Sequence, residues 1–181
     1  AREIVRLLAG FTLAVEAAGA FLGKYHGSVS FADYLQRLRD EELEGLEDST
    51  CHAEIQIPYG ERRLRAALKP TLDSLTEAEG HILAWAALLP PDAVAVSWLR
   101  ELAASAMPTL AEATKPGHVP FWDSALRTLC SLRLLRVHEE EATIPAAEQR
   151  LVGMHSLLQT LLREGIEAEE LARREDAVMA R

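Results

Sequence analysis

The sequence predicts a mainly α protein, a small helical domain followed by a winged-helix domain made of helices and one β-hairpin. Three observations lead to that class. Apolar residues recur at helical spacing over most of the 181-residue chain. Capping-type spacings (Ser30 with Asp33, Thr76 with Glu79, Ser156 with Gln159) stand in front of amphipathic runs. Late in the chain, two β-prone runs, Leu134 to His138 and Arg150 to Met154, flank a loop from Glu139 to Gln149 and precede another helix. Three helices, a hairpin and a closing helix, in that order, make a winged helix. The expected boundaries are a helical domain over 1–45, a linker over 46–70, the winged helix over 71–165 and the start of a downstream helical segment over 166–181.

In chain order, Arg2 to Leu8 and Leu13 to Leu22 read as helices. Ile4, Val5, Leu7 and Leu8 form one apolar face, and Leu13, Val15, Phe21 and Leu22 the next. The Gly10-Phe11-Thr12 step interrupts them, and Gly23 supplies a helix stop. Ser30 and Asp33 open an amphipathic helix from Phe31 to Leu43, with Tyr34, Leu35 and Leu38 on the same face as Phe31. Glu44 to Pro58 is acidic and polar without a clean period, which suits a linker or an ordered loop. Arg62 to Leu68 reads as a short basic helix or turn that Pro70 ends. Thr76 and Glu79 then open a helix carrying Ile82, Leu83, Trp85, Ala86, Leu88 and Leu89, stopped by Pro90-Pro91. Ser97 is the expected cap of the next helix, with Trp98, Leu99 and Leu102 apolar. Met107 to Val119 is a loop rich in Pro, Gly and Lys. Phe121 to Leu132 is the third helix, its inward face Leu126, Leu129, Cys130 and Leu132. After the hairpin, Ser156 to Arg163 closes the domain. Ile166 to Arg181 is helical and charge-rich, with no core of its own.

With 49% hydrophobic residues the chain can bury a real core. A net charge of -9 argues against non-specific nucleic-acid binding, which depends on neutralising phosphates with Lys and Arg. The third helix, FWDSALRTLCSL, offers Arg127 and Asp123 but no basic face. The acidic run Glu139, Glu140 and Glu141 at the hairpin tip would repel phosphates, so a DNA-binding regulator ranks below the other readings. No run is long enough to span a membrane, and there is no signal-peptide pattern. Cys51 and Cys130 lie far apart without a C-x-x-C, so neither a zinc site nor a disulfide framework is suggested; a reducing cytoplasm is expected. The chain starts at an alanine with its first helix already under way and reads as a fragment of something longer.

No G-x-x-x-x-G-K-[ST] phosphate loop, G-x-S-x-G, H-E-x-x-H or metal-spaced Cys/His set occurs, so the chain is not expected to be an enzyme by itself or to hold a metal. Glu139 to Glu141 fit a solvated turn better than an acid/base pair. His81 fits a surface or packed position. Trp85, Trp98 and Trp122, on apolar helical faces, fit core packing better than ligand stacking. One stretch stands out, RLVGMHSLLQTLLRE, Arg150 to Glu164. The β-prone run stops at Met154, and Ser156 with Gln159 has capping-box spacing, which puts His155 beside the unpaired N–H groups of a helix start. Such a place favours an anion, and an imidazole there can donate a further hydrogen bond to a phosphate. On local chemistry alone, a surface histidine at an ordinary strand-to-helix corner is the plainer reading.

Four segments shift that balance by occurring in one order: LLAGFTLAVEAAGAFLG (Leu7 to Gly23), TLDSLTEAEGHILAWAALLPPDAVAVSWL (Thr71 to Leu99), FWDSALRTLCSLRLL (Phe121 to Leu135) and MHSLLQ. Together they resemble the NB-ARC branch of the STAND signalling ATPases, more narrowly the bacterial members with tetratricopeptide repeats downstream. The resemblance covers nearly the whole chain but only the helical and winged-helix half of that family's ATPase core. It implies ADP, exchanged for ATP with Mg in the parent protein, held between an upstream nucleotide-binding domain and these two domains; little binding is expected to this fragment alone. It also implies downstream helical repeats and a possible homo-oligomer on activation. The family's glycine-x-proline step, near the adenine and ribose, matches Gly10-Phe11-Thr12, with Thr12 in place of proline. Its Met-His-Asp motif matches Met154-His155-Ser156, where the histidine bonds the β-phosphate of ADP and Ser156 stands in for the aspartate. The competing expectation is a winged-helix module that packs on protein partners without seeing nucleotide.

Overall fold

The computed structural model describes residues 1–51, 59–112, 116–138 and 150–180, with side chains described in 1–41, 60–112, 116–138 and 150–180. It is mainly helical with a small antiparallel sheet, and it divides into two compact units, Ala1–Ser74 and Leu75–Arg181. Among the described residues, no helix is long and apolar enough to cross a membrane.

The first unit holds α1 (Arg2–Leu7), α2 (Thr12–Lys24), α3 (Phe31–Cys51) and α4 (Tyr59–Asp73). α1 ends because Ala9 and Gly10 both take left-handed backbone angles, φ 49° and 67°. The Ser30–Asp33 box opens α3: the Asp33 N–H donates to Ser30 Oγ at 3.1 Å and the Ser30 N–H to Asp33 Oδ2 at 3.2 Å. α4 packs on α2 and α3. Its buried Leu64, Ala67 and Leu68 close a core with Ala14, Phe21 and Leu38. Tyr34 lies at the centre, fully buried, and donates its hydroxyl to Ala67 O at 3.0 Å. Burial holds its phenol well above the ordinary range, so it acts as a permanent donor.

Two expectations fail here. The stretch 46–70 is not a separate linker: α3 runs on to Cys51, and residues 59–73 form a full helix of the first unit. Pro70 does not end that helix but lies inside it. A mid-helix proline removes one backbone hydrogen bond, yet Pro70 and Thr71 are buried, and that packing outweighs the local penalty. Residues 52–58, within the expected linker, lie outside the described residues.

The second unit runs α5 (Glu77–Ala86), β1 (Val94–Ala95), α6 (Val96–Ala106), a short 3-10 helix (Pro108–Ala111), α7 (Phe121–Ser131), β2 (Arg136–His138), β3 (Leu151–Gly153), α8 (Ser156–Glu164) and α9 (Ala168–Met179). The strands are antiparallel in the order β1-β3-β2, with Val152 opposite Val94 on one side and Val137 on the other. This is the winged-helix order of elements. Ile82, Leu83, Leu99, Leu102, Leu129 and Leu132 form its core, each at most 1% exposed. Trp85 and Trp122 are buried and Trp98 half-buried, as packing residues should be.

The hairpin was expected, but its third strand was not. Val94–Ala95 is too short to show a period, and only pairing with β3 makes it a strand. Ser97 does not cap α6. The helix already starts at Val96, whose N–H is taken by Arg150 O at 2.9 Å. The 3-10 turn sits inside the expected Met107–Val119 loop. The hairpin tip, including Glu139, Glu140 and Glu141, lies outside the described residues. The tail, expected as a separate segment from 166, groups with the second unit as α9.

Candidate functional site

Met154, His155 and Ser156 form the corner between β3 and α8, and close backbone approach fixes it. A Cβ on Gly153 would lie 2.7 Å from Asp92 O and 3.0 Å from Pro91 O, so only glycine fits beneath the Pro90-Pro91 turn. The Met154 N–H donates to Pro91 O at 2.7 Å. Its side chain is buried beside a cavity of about 10 Å³ lined by Pro90, Val94, Leu99 and Val152. That space holds at most one water, so the corner is a packed joint and any ligand must be met at its surface.

α8 is clamped to the end of α5. Gln159, 5% exposed, donates from Nε2 to Leu89 O at 2.8 Å and to Ala86 O at 3.2 Å. Arg163 Nε donates to Ala87 O at 2.7 Å. α5 ends at Ala86, whose carbonyl accepts the Leu89 N–H at 3.3 Å, and Pro90-Pro91 supply no N–H to the carbonyls of the turn that follows, so these take donors from elsewhere. The side chains of α8 supply them.

That clamp overturns the expected Ser156 cap. Gln159 is spent on α5 and cannot reach back to close a capping box. Ser156 is the first residue of α8, exposed to solvent, and the N-cap is His155. The His155 backbone is extended, and its Nδ1 accepts the Leu157 N–H at 3.2 Å. An accepting nitrogen carries no proton, so the neutral ring holds its hydrogen on Nε2. The ring is exposed, and Nε2–H is the donor that the helix does not use. The first turn of α8 contains no acidic residue, so nothing within it offsets the positive end of the helix dipole.

Gly10 and Thr12 belong to the first unit, while Met154, His155 and Ser156 belong to the second. Gly10 is exposed, and its left-handed backbone lets its N–H reach Val5 O at 3.0 Å. Thr12 is the first residue of α2 and exposed, at the helical position where proline also fits best. The N-cap there, Phe11, makes no side-chain cap, and the first turn of α2 has no acid.

Sequence reasoning missed Gly153 and Arg163, and gave Gln159 the role of a capping partner. A glycine inside a β-prone run was a usable sign of close approach. Nothing pointed to the clamp made by Gln159 and Arg163, because their partners lie 70 or more positions away. On α7 the exposed residues are Phe121, Ser124, Arg127 and Ser131, with Arg127 the helix's one basic group. Among the described residues no cluster of His, Cys, Asp and Glu could hold a metal ion. No family model, curated protein or solved structure matches the chain.

Proposed function

We propose that this chain is the regulatory part of a nucleotide-driven signalling switch of the NB-ARC/STAND class, and that His155 helps to retain ADP in a closed, inactive state. The support is the β3–α8 corner: a tautomer-fixed Nε2–H donor at an acid-free helix start, on a joint held by Gly153, Gln159 and Arg163. In this reading an upstream nucleotide-binding domain supplies the phosphate loop and Mg. Gly10 and Thr12 border the adenine and ribose, Met154 seats the joint, and Ser156 occupies the place of a family aspartate without its charge. The neutral imidazole contributes a hydrogen bond to phosphate rather than a full charge. Downstream helical repeats and self-association on activation complete the scheme, which operates in the cytoplasm.

A ligand moves a two-state switch only by its differential affinity for the states. A hydrogen bond that exists only in the closed arrangement provides such a difference. Its loss costs about 1.5–3 kcal/mol when the acceptor is charged, roughly ten- to a hundredfold in the closed population. The test is calorimetric titration of this chain into the upstream nucleotide-binding half, loaded with ADP or with a non-hydrolysable ATP analogue. The expected result is tighter association with ADP, weakened by His155→Ala. A second reading, a winged-helix module that docks a protein partner, draws on Val119 and Phe121, which are 55% and 51% exposed beside α7. Association indifferent to nucleotide and to His155 would favour that reading.

A further inference from the structure

Helix α9 is weakly anchored in the second unit, with none of its residues fully buried. Helices with so few buried apolar contacts detach at low cost. A polar cluster holds it. Arg174 lies with its guanidinium carbon 5.5 Å from the centre of the Trp85 ring on α5, and its Nε donates to Glu170 Oε1 at 2.7 Å. Trp85, 3% exposed, donates its indole N–H to His81 Nε2 at 3.1 Å, and the same nitrogen lies 3.2 Å from Ala103 O on α6.

Those two contacts exclude each other. An indole N–H can only donate, so Nε2 must be bare to accept it; a protonated Nε2 must turn to Ala103 O and leave the indole without an acceptor. Ala103 O already receives the Met107 N–H, so the bare nitrogen leaves no group unpaired. We propose that His81 is a proton-operated latch, in which the neutral imidazole holds the Trp85 indole as the platform for Arg174, and protonation loosens α9 from α5.

The groups facing His81 are Glu77 on its own helix, the Ala103 carbonyl from α6, and Glu170 and Arg174 from α9. Burial pulls its proton affinity down first, and Arg174 pulls the same way; the Ala103 carbonyl and the two glutamates pull upward, and the net direction is down. A histidine lowered in the docked state stabilises docking fully above its ordinary value of 6.5 and loses that contribution as pH falls toward the docked value. The latch is therefore closed at neutral pH and weakens on acidification.

The test is NMR on the whole chain between about pH 7.5 and about pH 5.5, the range in which histidines titrate. Amide protection in α9, corrected for intrinsic exchange, should fall several-fold. The Arg174 side-chain resonances, shifted by the Trp85 ring, should move with the same midpoint as the His81 ring protons. His81→Gln, which accepts the indole N–H without titrating, should keep α9 protected across the range. Coincident midpoints in the unaltered chain test the latch even if that variant does not fold. A His81 titration with no response in α9, or equal loosening in His81→Gln, would overturn the proposal, the latter because the acid response would then not come from His81.

Discussion

Two helix starts in the winged-helix unit solve the same problem in opposite ways. α5 begins with Thr76 and Glu79 in a complete capping box: the Glu79 N–H reaches Thr76 Oγ1 at 3.3 Å and the Thr76 N–H reaches Glu79 Oε2 at 2.9 Å. It also carries Glu77 in its first turn, so its positive end is satisfied from within. α8 begins with a histidine cap and no acid. The difference teaches why capping-box spacing came true at one helix and not at the other. Glu79 has no competing demand, whereas Gln159 is drawn away by the carbonyls of Ala86 and Leu89, at the end of α5 and in the turn after it. A helix start that satisfies itself has no use for an external anion, and one that does not remains open to it.

The largest expected effect tests the joint that holds the second of these starts. Gly153→Ala forces a Cβ against backbone oxygens that cannot step aside, and should destabilise the chain by about 3 kcal/mol, read as a lower midpoint in urea denaturation. Next comes the clamp. Gln159→Met keeps the bulk but removes both donations, and should cost about 2 kcal/mol by the same measurement. A loss no larger than a surface substitution would mean that the α5 carbonyls find water instead.

The caps themselves sharpen the comparison. Thr76→Ala should cost about 1 kcal/mol, while Ser156→Ala should stay within about 0.5 kcal/mol, because Ser156 does not cap α8. Equal costs would restore Ser156 as the cap. His155→Asn supplies a capping oxygen in place of Nδ1 but deletes the Nε2–H, so it should retain stability and still weaken ADP-dependent association. That separates capping from phosphate contact.

The smallest effect concerns pH at a third start, that of α3. Hydrogen bonds from the Ser30 hydroxyl and N–H hold the Asp33 carboxyl below its ordinary value of 3.8. Its contribution is present above that value and is lost as pH falls through the lowered one. Asp33→Asn should therefore make acid unfolding slightly shallower. Carbon-detected titration of the Asp33 carboxyl reads the lowered value directly; a midpoint at the ordinary value would remove the box as its cause.

The sequence by itself determined the elements whose causes are local. Helical periodicity placed the cores of α2, α5 and α7, and Ser30–Asp33 and Thr76–Glu79 set two helix starts, whereas α5 ends at Ala86, short of the Pro90-Pro91 stop. His155 was legible as a residue at a helix start because a β-prone run meets an amphipathic one there. Only the tertiary structure decided that Pro70 lies inside a helix, that Val94–Ala95 is a strand, that His155 rather than Ser156 is the cap, and that Gln159 and Arg163 serve α5. Each of these turns on a partner distant in sequence. A buried helix face outweighs a missing hydrogen bond, and an unpaired carbonyl takes whichever donor the fold brings within reach.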